Sequence, residues 1–170
     1  MSDTRISEAI ERAKAVFVER PAVARKANPS ATAILNDGLR FEITGPAGER
    51  AVTDMPSPMG GEGLSPSPGW LLRASMASCT GTAIAMRAAV LGIALDKLEV
   101  SVHSESDARG LLGLGDTSAA LSNMKMEVKI GAGRATAQQL EELVQWAEAH
   151  SPVNCTLRSN PPIELEIRAD

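Results

Sequence analysis

Two thiols, Cys79 and Cys155, are the side chains best suited to do chemistry in this chain, because a cysteine ionises to a strong nucleophile and can be oxidised reversibly. Cys79 follows a stretch rich in glycine and proline that runs straight into a long apolar segment, Trp70–Leu91. A thiol sealed inside such a segment is an inert small hydrophobe, whereas one beside a flexible, backbone-exposing loop can meet a small oxidant. In a reducing compartment two cysteines so far apart in sequence do not form a permanent staple, so a disulfide between them would be transient, catalytic or sensory.

Other chemistries find less support. His103 alternates with apolar neighbours and His150 closes a helix, and neither has a partner at metal-ligand spacing, so no metal is assigned. Gly60-Gly61-Glu62-Gly63 has the composition of a phosphate loop, but no Lys-Ser/Thr follows and no strand-to-helix turn surrounds it. A formal charge of −4 on 170 residues, with two Trp, two Phe and no Tyr, argues against a nucleic-acid groove. The N-terminal residues show no apolar core followed by a small-residue cleavage site, and no later run reads as wide as a bilayer. The expectation is therefore a cytoplasmic protein without a membrane partner.

The elements that must hold the thiols follow from periodicity and turn signals. Asp3 or Thr4 can cap an amphipathic helix in which Ile6, Ile10, Ala13, Val16 and Phe17 share a face until Pro21. This gives a helical arm over residues 1–29, ahead of a main domain over 30–170. Three short strands, Ala31–Leu35, Leu39–Thr44 and Arg50–Asp54, are separated by Asn36-Asp37-Gly38 and Gly45-Pro46-Ala47-Gly48, which predicts an antiparallel meander. Residues 55–68 form a loop by composition, and the segment to Leu91, apolar on nearly all sides, predicts a helix largely enclosed by protein. Lys97–Glu105 and Met124–Ile130 alternate as half-buried strands. Thr136 caps a second long helix that turns Leu140, Leu143, Val144, Trp146 and Ala147 inward. Ser151-Pro152 restarts a short helix bearing Cys155, Asn160-Pro161-Pro162 ends it, and Ile163, Leu165 and Ile167 alternate as a closing strand. The plan is α+β, with open edges and apolar faces that a second copy of the chain could cover.

Taken together, Gly60-Gly61, Ser65-Pro66-Ser67-Pro68, the helix from Leu71 to Cys79, Leu91-Gly92-Ile93 and His150-Ser151-Pro152-Val153 resemble the OsmC/Ohr family of thiol-based organic hydroperoxide reductases and their relatives. The resemblance spans about Ala31 to Arg168. It implies an intertwined homodimer with two long central helices packed on antiparallel sheets, and it gives Cys79 the role of peroxidatic thiol. It also implies a dithiol reductant such as a lipoyl protein, and no bound cofactor. Cys79 lies about three turns into its helix, where the helix dipole has faded, so a fixed cation is needed. In the peroxidases an arginine held by a glutamate supplies it. Gly69 occupies that glutamate's place here, Glu62 is a substitute candidate, and Arg40 is the activating arginine chosen over Arg25 and Arg50. The family's resolving cysteine is replaced by Ser151, and Cys155, one helical turn later, is the candidate resolving thiol.

Trp70, Leu71, Met76 and Met86 are candidates to line a binding pocket near Cys79, set against the plainer reading of a Met and Leu stripe as core. Ser75 and Thr82, one turn to either side of Cys79, can bond its sulfur or the backbone. Three functions are carried forward: a thiol peroxidase acting on organic hydroperoxides, a binder of a small hydrophobic ligand without efficient peroxidase activity, and a redox-responsive protein whose thiol oxidises once.

Overall fold

A computed structural model of the chain describes residues 2–169, with side chains from Thr4 onward, so the expected cap by Asp3 lies outside the described side chains. Helix α1 spans Ser2–Glu19 and is followed by a 3-10 turn at Pro21–Ala24. Its stripe Ile6, Ile10, Ala13 and Val16 is half-buried, as the helical period requires, while Phe17 is exposed.

The chain divides into two compact units. One is built mainly from Glu8–Ala74 with His103–Lys125. Its centre is an antiparallel meander of β1 (Thr32–Asp37), β2 (Arg40–Thr44) and β3 (Arg50–Thr53), in the order β1-β2-β3. Thr32 pairs with Thr44 and Leu35 with Phe41 across the first turn, and Phe41 pairs with Thr53 across the second. Gly38 (φ +52) and Gly48 (φ +91) supply the left-handed residues that the two turns need.

The glycine-rich loop after β3 serves a partner inside the chain. Asp54 is buried, and its carboxylate accepts hydrogen bonds from the backbone N–H groups of Met55 (2.7 Å), Glu62 (3.1 Å) and Leu64 (3.2 Å). A Cβ at Gly61 would collide with the Met55 carbonyl, so only glycine lets the loop close this tightly. The N–H concavity that looked like a phosphate loop is therefore filled by a side chain of the same unit. The Glu62 side chain itself is exposed.

The second unit contains Ser75–Val102, the residues from Met126 onward and the start of α1. Helix α2 runs Pro68–Leu91 and is followed by β4 (Lys97–Glu105). After β4 come the four-residue α3 (Ala108–Leu111), β5 (Ser122–Gly131), α4 (Ala137–Ala149) and α5 (Pro152–Ser159). Strands β4 and β5 form a two-stranded sheet. Glu99 pairs with Lys129 and Glu105 with Asn123, so residue numbers rise along one strand as they fall along the other, which makes the pair antiparallel. Ile84 and Ala88 of α2 meet Leu143 and Ala147 of α4 in the buried core, with Leu98, Val100, Val128 and Ile130 of the sheet packed against them. Thr136 caps α4 in a reciprocal capping box with Gln139, as its sequence predicts.

Three expectations are corrected. Helix α2 is not enclosed: Thr80, Ile84, Ala88 and Ala89 are its buried residues, and Met86 and Leu91 face solvent, because its neighbours in the chain cover one face. It is also, among the described residues, a helix long and apolar enough to cross a bilayer, since its alanines and methionines outweigh Arg73 and Arg87 in the average, although a helix packed in a protein core satisfies the same criterion. Finally, residues 161–169 form no strand, because no neighbouring strand of the chain pairs with them; Ile163, Leu165 and Ile167 are 92%, 79% and 79% exposed.

Burial pushes the Asp54 carboxyl up, but the N–H groups of Met55, Leu64, Glu62 and Gly63 outweigh it and hold it below its ordinary 3.8. A carboxylate lowered on folding contributes stability that is complete above pH 3.8 and is lost as pH falls through the lowered value. Asp54→Asn is expected to reduce the thermal midpoint at neutral pH and to flatten the acid limb of the stability profile. Calorimetry from pH 7 to pH 2 on both proteins would show an unchanged limb if the carboxylate were unimportant.

Candidate functional site

Cys79 lies on α2 one turn before Thr82 and Ala83 and two before Met86, and helical spacing brings these four onto one face. That face forms one wall of a cleft of about 440 Å³, with Ser78 at its rim. Trp146 and His150 from the C-terminal end of α4, and Pro152 from the start of α5, form the opposite wall. Cys79 is a free thiol, half-buried, in a mainly apolar recess. Trp146 was expected to point inward with Leu143 and Ala147; those two are buried, while Trp146 is 38% exposed and lends a face to the cleft.

Three contacts hold the α4 wall together. The His150 ring stacks on Trp146 with centroids 4.1 Å apart and planes 13° from parallel. Its Nδ1 lies 2.6 Å from the Trp146 carbonyl oxygen, and since a carbonyl only accepts, Nδ1 carries the proton. Arg87, two turns beyond Cys79 on α2, lays its guanidinium 4.6 Å from the indole centroid.

One buried polar contact fastens α5 to α2 next to the thiol. Asn154 Nδ2 donates to Thr80 Oγ1 at 2.9 Å, with both residues buried. Ser151, at the head of α5, is fully buried, and its hydroxyl has no hydrogen-bond partner among the described residues.

Cys155 occupies a different environment. Its Sγ donates to the Ala149 carbonyl at 3.2 Å and accepts from Arg158 Nη2 at 3.5 Å. Arg158 is itself ion-paired with Glu148, and the Glu148 and Cys155 contacts raise its guanidinium further above the ordinary arginine range. The two thiols are both free, and Cys155 is not among the cleft walls. The arginine–glutamate arrangement sought for Cys79 is thus found around Cys155.

The remaining candidates are placed as follows. Met76 is half-buried on α2 and is not one of the cleft walls. Arg40 lies half-buried on β2, paired with Asp37, and Trp70 is half-exposed near the start of α2; both belong to the meander's unit. In that unit Gly69 sits where a Cβ would lie 3.8 Å from Arg73 Nη1, and Arg73 donates to Ser104 Oγ at 3.2 Å. No cluster of three or more potential metal ligands occurs among the described residues. Sequence reading missed Trp146 and His150 as cleft walls; the usable signal was their i, i+4 spacing at a helix end just before Ser151-Pro152.

Two helices on antiparallel sheet, with a thiol at mid-helix on the wall of an apolar cleft, define an α+β protein of the thiol-bearing class. The chain belongs to the OsmC-like protein family, whose sequence model matches residues 61–166. A crystal structure of an osmotic stress induced and detoxification response protein from Psychrobacter arcticus is similar in fold at 20% identity and TM-score 0.60, over 78% of this chain and 90% of that one. An organic hydroperoxide resistance protein OsmC from Legionella pneumophila matches at 23% identity and TM-score 0.58, over 79% and 93%. An OsmC-like protein from Mycoplasma pneumoniae matches at 16% identity and TM-score 0.66, over 79% and 89%. No curated protein matches the chain.

Removing Asn154 would strand the buried Thr80 hydroxyl, which costs about 1–3 kcal/mol. Asn154→Ala is expected to destabilise by that amount. Thr80→Val combined with Asn154→Leu is expected to cost less than the sum of the single changes. Denaturant unfolding in a double-mutant cycle measures the coupling, and simple additivity would show that the contact does not join the helices.

Proposed function

We propose that this chain is a thiol-dependent peroxidase that reduces organic hydroperoxides. The observation that supports this most directly is a free, half-buried Cys79 on the wall of an apolar cleft with room for a small organic molecule, in a chain of the OsmC-like family. Similarity in fold to an organic hydroperoxide resistance protein adds to it. In this reading the Cys79 thiolate attacks the terminal peroxide oxygen, the O–O bond breaks, and the products are a Cys79 sulfenic acid and an alcohol. Cys155 then displaces water from the sulfenic acid to form a disulfide, and a dithiol such as a lipoyl group restores both thiols. To do so, Cys155 must leave its contacts with the Ala149 carbonyl and Arg158.

The second reading, a cleft that binds a small hydrophobic ligand without turnover, is favoured by one fact: among the described residues no lysine or arginine is part of the walls around Cys79. The third reading, a sensor, uses the same thiol without resolution by Cys155.

One equivalent of cumene hydroperoxide added to the reduced protein separates these readings. A peroxidase loses two hydrogens in intact mass, shows a Cys79–Cys155 peptide on a non-reducing map, and recovers with dihydrolipoamide. Cys79→Ser is expected to abolish peroxide consumption, and Cys155→Ser to stop at sulfenic acid after a single turnover. An unchanged mass would support the binder, and a wild-type chain that stops at sulfenic acid would support the sensor.

The working form is proposed to be a cytoplasmic homodimer. Ile163, Leu165 and Ile167 alternate as a strand would, yet are nearly fully exposed, while β1 is an edge strand exposed at every position. An unpaired apolar run with strand-like alternation and an open sheet edge are complementary when two copies meet. Sedimentation equilibrium is expected to give twice the chain mass. Ile163→Lys with Leu165→Lys is expected to shift the population toward monomer or unfolded chain, and a monomeric wild-type protein would refute the assembly.

A further inference from the structure

We propose that His150 is the proton carrier for Cys79, accepting the thiol proton as a base and returning it to the leaving alkoxide as an acid. The inference rests on the peroxidase reading for its second half only.

Of the cleft walls, Cys79 and His150 are the two titratable side chains. The Nδ1–H···O=C bond to Trp146 fixes the tautomer, so the neutral ring keeps its lone pair on Nε2, which is unengaged among the described residues. Stacking on Trp146 holds the ring against rotation, and Arg87 on the same indole steadies that platform. The other charged groups near this end of α4 are already committed, Glu148 to Arg158 and Arg158 to Glu148 and Cys155. Glu142 lines the neighbouring cleft, shared with Arg87 and Trp146, that does not include Cys79. No cation is among the described residues of the cleft walls, and a base on the facing wall supplies a means of generating the thiolate.

The step balances without an added reagent. The Cys79 S–H proton passes to Nε2, the thiolate attacks the terminal oxygen of ROOH to form S–OH, the O–O bond breaks with its electron pair leaving on RO⁻, and RO⁻ takes the proton from Nε2 to become ROH. Sulfur is oxidised by two electrons and the peroxide is reduced by two. A base of this kind accelerates such steps by about 10²-fold or more.

The test uses Cys155→Ser protein, in which Cys79 is the sole thiol, with and without His150→Gln. Two rates are measured from pH 5 to 9: alkylation of Cys79 by iodoacetamide, which needs only the thiolate, and oxidation by cumene hydroperoxide, which needs the leaving-group proton as well. Removing His150 is expected to slow alkylation and to change the shape of its pH profile, and to slow oxidation more than alkylation. Imidazole in solution is expected to restore part of both rates to His150→Gly, a rescue that a merely structural role for the ring would not give. Thermal unfolding of each variant establishes that it is folded. Equal rates with identical pH profiles in the His150→Gln and parent proteins would overturn the proposal. A parent chain inert to peroxide, whose alkylation still depends on His150, would refute the peroxidase reading while upholding the base.

Discussion

The contact between α2 and α4 is the constraint on which the candidate site depends. Alanines at Ala88 and Ala147 let the two helices approach closely, and Ile84 and Leu143 fill the space that remains. With that face of α2 turned inward, the face carrying Cys79, Thr82 and Met86 must look along the side of α4, where Trp146 and His150 stand. The Thr80–Asn154 hydrogen bond adds a directional anchor that apolar packing lacks, and it sets Pro152 and the head of α5 against the same cleft.

The two sulfurs sit in opposite electrostatic settings. Cys79 faces hydrocarbon, an indole and an imidazole, which suits it to an apolar reactant. Cys155 has a guanidinium at hydrogen-bond distance, itself steadied by a carboxylate. If the proposed two-thiol turnover holds, the second thiol has to leave this polar anchor, and the Glu148–Arg158 pair would act on the resolving step rather than on the first attack. In the other unit, the glycine loop shows the same economy of means: backbone N–H groups that could hold an external anion are saturated by Asp54.

Sequence by itself determined the local pieces, because their causes are local. Asn36-Asp37-Gly38 and Gly45-Pro46-Ala47-Gly48 turn the meander, Thr136 and Gln139 start α4, the alternation at Lys97–Glu105 makes β4, and Asn160 in the left-handed region ends α5. The family, too, was legible from the segments around Cys79 and His150-Ser151-Pro152. What only the tertiary structure decided is which residues meet. The exposed face of α2, the unpaired run from Ile163 to Ile167, the closure of the loop on Asp54 and the stacking of His150 on Trp146 all depend on contacts between residues that periodicity cannot bring together. Hydrophobic pattern states that a face must be covered, but the partner that covers it is chosen by packing across the fold.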